Sequence, residues 1–113
     1  MNNKITIKKI SWHELEVLNV ELRMFASLLS AIDIKDDFLN TIISIDIARA
    51  LYYKFRTKIE NRKENYSLNL TISEAATLLQ CCTYDNPVKT DFSKNVKIKL
   101  SSDLDQQLKS ILI

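Results

Sequence analysis

The chain has no glycine in its 113 residues, one proline, two cysteines and one histidine. Each scarcity removes a class of chemistry. Without glycine no residue reaches positive φ at low cost or lets the backbone close on a phosphate. The phosphate-cradling loops G-x-x-x-x-G-K and G-x-G-x-x-G are therefore excluded, and so is the glycine-flanked nucleophile elbow. A single proline leaves little turn vocabulary, which favours helices joined by Asn- and Asp-containing loops. Cys81 and Cys82 are adjacent, a spacing at odds with ordinary disulfide geometry. With no second cysteine pair and only His13, a zinc site cannot be completed. Both thiols read as small core or interface residues of a reduced compartment. Neither a charged-then-apolar N-terminal leader nor an apolar run of about 18 residues is present. The expectation is a cytoplasmic protein with no membrane partner, no cofactor and no metal.

What is present describes an ordinary globule. Hydrophobic residues make up 46% and charged residues 27%, with a formal net charge of +2. That charge is too small to demand a polyanionic partner. The length suits one domain, 1–113, that buries roughly two-thirds of its unfolded surface.

The stretch from Phe38 to Phe55, FLNTIISIDIARALYYKF, places apolar side chains on nearly every helical face. A helix apolar all round is normally enclosed. The expected fold is therefore all-α: a small bundle of about four helices round a long central helix, with short extended segments preceding helices.

In chain order, residues 1–10 read as an extended arm. Ser11-Trp12-His13-Glu14 is a capping box that starts a helix over 11–31. Its core stripe is Leu15, Leu18, Leu22, Phe25, Leu29 and Ile32. Asp36 and Asp37 suit the start of the central helix, 36–63, which at 1.5 Å per residue would be roughly 42 Å long. That exceeds the diameter of a compact chain of this size, so the helix either ends early or projects. A second box, Thr71-Ile72-Ser73-Glu74, opens a helix over 72–83. Tyr84-Asp85-Asn86-Pro87 has turn chemistry. Residues 84–100 read as loop and extended chain because Val96-Lys97-Ile98-Lys99-Leu100 alternates, and a last helix is expected over 101–112. The segments 4–10, 66–72 and 96–100 either pair as a small sheet or lie as arms across the helices; the arms are favoured because sheets this small are marginal alone.

No constellation supports catalysis. His13 has no Ser or Cys placed with it, and the carboxylate pairs Asp36/Asp37 and Asp103/Asp105 fall at expected helix starts, where capping accounts for them. Asp46 and Arg49, three apart in the apolar stretch, form a candidate structural ion pair or a polar spot in a subunit interface. Cover round Ile47, Leu51 and Phe55 looks incomplete, and with Cys81 and Cys82 these are the candidate interface. The expected function is a non-enzymatic interaction or assembly module, a homodimer or the partner of another protein. The alternative is a small nucleic-acid-binding accessory protein using Lys54, Arg56, Lys58, Arg62 and Lys63, a basic run that more simply complements the helix dipole.

Overall fold

In the computed structural model, which describes residues 4–31, 37–84 and 90–112, two strands pair and four helices pack against them. The order is β1 (Lys4–Ser11), α1 (Trp12–Ala31), α2 (Phe38–Glu60), β2 (Asn65–Thr71), α3 (Ile72–Thr83) and α4 (Asp91–Ile111). The protein is thus mostly helical with a two-stranded antiparallel sheet. The expected break at 32–36, including Asp36 and the end of the α1 stripe at Ile32, and the turn at 85–87 lie outside the described residues, as do residues 1–3 of the arm.

The two strand-to-helix junctions have no loop. At the first, Ser11 Oγ accepts from the Glu14 backbone N–H at 3.1 Å, while Glu14 Oε1 accepts from the Ser11 N–H at 2.9 Å. At the second, Thr71 and Glu74 make the same reciprocal pair at 3.1 and 2.9 Å. Each box satisfies two backbone donors at the corner, where the first turn of a helix has no intrahelical partners. Burial alone would raise the Glu14 carboxyl. Hydrogen bonds from Ser11 and the Lys99 ammonium at 3.0 Å outweigh it and hold the group below its ordinary 4.5.

The strands pair rather than lying as separate arms. Lys4 faces Thr71 and Ile7 faces Leu68, but Ile10 faces Tyr66, so β1 carries one residue more than β2 between those pairs. This is a β-bulge at Lys8 and Lys9, and Lys9 takes φ 61°. The sequence explains it: Ile5 and Ile7 keep a period of two, whereas Ile10 breaks it. The extra residue returns Ile10 to the inner face, where Ile5, Ile7 and Ile10 are all buried opposite Tyr66, Leu68 and Leu70. With no glycine in the chain, a lysine takes the left-handed position.

Two expectations fail. Residues 96–100 are not extended. They are the second and third turns of α4, which begins at Asp91 and is capped by Thr90, whose Oγ1 accepts from the Ser93 N–H at 3.1 Å. Val96, Leu100 and Leu104 then form one buried stripe at i, i+4, i+8, while Ile98 is exposed. Nor is α2 the enclosed central rod. Of its residues only Ala48, Leu51 and Phe55 are buried. The central place belongs to α1, which packs against all three other helices and β1. The length conflict resolves with it: α2 stops at Glu60 and, at roughly 34 Å, fits within the molecule's 43 Å long axis.

Candidate interaction surface

The N-terminal half of α2 carries the most prominent apolar surface of that helix. Phe38, Leu39, Ile42 and Ile43 are 53%, 65%, 55% and 56% exposed. At spacings of i, i+1, i+4 and i+5 they share one side of the helix. The helix holds its start by polar contacts at its first turn: Asn40 Nδ2 donates to Asp37 Oδ1 at 2.7 Å, and Thr41 Oγ1 donates to the Asp37 carbonyl at 3.0 Å. Full burial begins only further along, at Ala48.

The residues expected to form the interface lie elsewhere. Leu51, Phe55 and Cys81 are fully buried and Cys82 is nearly so, all within the core of one chain; they are not available to a partner. Ile47 is half-buried against that core. Their burial follows from the cover given by the other elements, which the composition of α2 alone does not reveal. Asp46 and Arg49 are both exposed, so the enclosed ion pair is not formed; Arg49 Nη2 instead donates to Ser30 Oγ on α1 at 3.4 Å.

Cations at and just beyond the C-terminal end of α2 meet groups of the same chain, some of them in exposed and weak pairs. Lys54 reaches Glu74 at 3.6 Å and donates to the Asn69 carbonyl at 3.1 Å. Arg56 pairs with Glu60 at 3.5 Å. Arg62 lies 4.2 Å above the Trp12 ring, and the Lys63 backbone N–H donates to the Tyr66 hydroxyl at 2.9 Å. Lys58 is half-buried.

Sequence reasoning missed a buried polar group. Glu21 on α1 pairs with Lys97 on α4 at 3.4 Å, their side chains 5% and 12% exposed. The Lys97 ammonium also lies 5.0 Å from the Tyr84 ring centroid. Burial, and then the Glu21 carboxylate, push the Tyr84 phenol well above its ordinary range. Glu21 sits three residues after Leu18 and four before Phe25, inside the core stripe, and that position was the available signal. Nearby, burial pushes the Cys82 thiol up to about 12 and the Cys81 thiol well above its ordinary range, Cys82 adding to the latter. Thiols held protonated are poor nucleophiles. His13 is exposed, its ring edge-on to Trp12 at 5.1 Å. Among the described residues no group of three or more His, Cys, Asp or Glu could hold a metal ion, and no helix is long and apolar enough to cross a membrane.

No protein-family model, curated protein or solved structure matches the chain.

Proposed function

We propose that the protein is a non-enzymatic assembly module that associates with a second copy of itself through the exposed apolar side of α2. The observation that carries this reading is the cluster Phe38, Leu39, Ile42 and Ile43, four large apolar side chains more than half exposed on two successive turns. Such a patch favours burial against another surface, by about 25 cal/mol for each Å² of apolar area removed from water. On the same side one turn further on stand the exposed Asp46 and Arg49, so the apolar patch ends at charged residues of opposite sign. A two-fold pair is the commonest closed arrangement. The two free, buried thiols suit a reducing cytoplasm.

The test is solution mass by light scattering at two protein concentrations and two salt concentrations, with Ile42→Glu beside the unaltered chain. A dimer that withstands added salt and becomes a monomer in Ile42→Glu, with unchanged helical circular dichroism, is expected. A chain that is monomeric throughout, or a dimer indifferent to Ile42→Glu, overturns the reading.

A further inference from the structure

We infer that the cleft between α1 and the C-terminal half of α2 binds the phosphoryl group of a small phosphorylated ligand. Three arginines line it: Arg23 from α1, and Arg49 and Arg56 from α2, together with Ser27, Tyr52 and Tyr53. Its floor is apolar, made by Leu22 and Ala26, both buried. Among the described residues no Asp or Glu lines the cleft.

The charge balance is what points to an anion. Arg23 makes no hydrogen bond or ion pair among the described residues. Among the described residues Arg49 has only the neutral Ser30 hydroxyl, at 3.4 Å. Arg56 has Glu60 at 3.5 Å, but both partners are more than half exposed, and pairs of that kind contribute little. Like charges gathered in one concavity repel one another unless an anion enters between them. Arginine is the residue suited to that anion, because its planar fork matches two phosphate oxygens at once. The tyrosine and serine hydroxyls add donors for the remaining oxygens.

Size and layout select the class. The cavity is about 310 Å³, at the small end of ligand sites, and fits a phosphate monoester or a diphosphate. A nucleic-acid strand needs cations set out along a track. Here Lys54 and Arg62 do not line the cleft and instead meet Glu74 and the Trp12 ring. The cleft is built from different residues than the apolar cluster at the start of α2, so it stands whether or not the chain self-associates.

The experiment is a calorimetric titration of the full chain with inorganic pyrophosphate and with phosphate at constant ionic strength, repeated on Arg23→Gln, Arg56→Gln and, as a distant control, Lys109→Gln. Saturable binding is expected, weakened roughly 10- to 100-fold by either arginine substitution and untouched by the control. Arg23→Lys, which keeps the charge and loses the fork, should fall between. Both altered arginine positions are at the surface, and circular dichroism checks that each variant is folded. Pyrophosphate binding no tighter than chloride, or equal weakening by Lys109→Gln, overturns the assignment. So does tighter binding of oligothymidylate than of pyrophosphate, which would transfer the site to nucleic acid.

Discussion

Trp12 donates its indole Nε1–H to the carbonyl of Ile59, 47 residues away, at 3.0 Å. The first residue of α1 thereby satisfies one of the last carbonyls of α2, which have no intrahelical partner. Arg62 lies over the face of the same ring, 4.2 Å from its centroid. Trp12→Phe keeps an aromatic ring, removes the donor and gives up part of the indole's bulk. Urea unfolding should show a loss of about 1–2 kcal/mol, with Arg62→Ala costing less, about 0.5–1 kcal/mol. A Trp12→Phe protein as stable as the parent would show that water serves Ile59 equally well.

The Glu21–Lys97 pair holds α1 to α4 inside the core, and it behaves differently from the surface pairs. Removing one partner strands a charge out of water. Glu21→Gln should therefore destabilise by about 3–5 kcal/mol, whereas replacing both with Leu and Met should cost far less. By contrast, breaking Lys109–Asp105, 74% and 47% exposed, should change unfolding by less than about 1 kcal/mol. The comparison is a double-mutant cycle in urea; equal losses for the single and the double variant would show that shape, not charge, is what the site requires.

Stability should fall at both ends of the pH scale, for different groups. In the folded chain Cys82 keeps its proton to about 12, while an exposed thiol loses it near 9.0. The contribution is complete below pH 9 and is lost as pH rises through that window, because there the unfolded chain holds fewer protons. Cys81 acts in the same direction. Glu14 acts oppositely: its carboxyl is held below 4.5, so its contribution is present above that pH and is lost as pH falls through its folded value. Thermal melting from pH 3 to 11 should give a plateau between two declines. Cys82→Ala should shallow the alkaline decline, and Ser11→Ala should shallow the acid one. Thiol labelling of the native protein at pH 8 should be slow until denaturant is added; rapid labelling would show that the thiols are not enclosed.

Local signals in the sequence transferred well to the fold, and long-range cover did not. The boxes at Ser11 and Thr71 name their helix starts because the chemistry involves four consecutive residues. The helix over 72–83 and the stripe from Leu15 to Phe25 follow for the same reason. Val96 to Leu100 misled because five residues satisfy both a period of two and a spacing of four. Only the continuation to Leu104 separates the two, and Ser101-Ser102-Asp103, which resembles a helix start, interrupts it. For α2, composition showed apolar faces but not how many neighbours would cover them; α1 and α3 reach one side of the helix only. The arginine cleft was illegible because Arg23 lies 26 positions before Arg49 and meets it only once α1 and α2 are packed.

The loopless junctions have a consequence for how the two halves of the chain depend on each other. The element order is a strand running directly into a helix, then a second helix, and then the same sequence of elements again. The two strands run in opposite directions in their ribbon, so each half supplies the inner face and the edge that the other lacks. Neither half keeps a paired strand without the other, so the fold is closed by a contact between residues about 60 positions apart in the sequence.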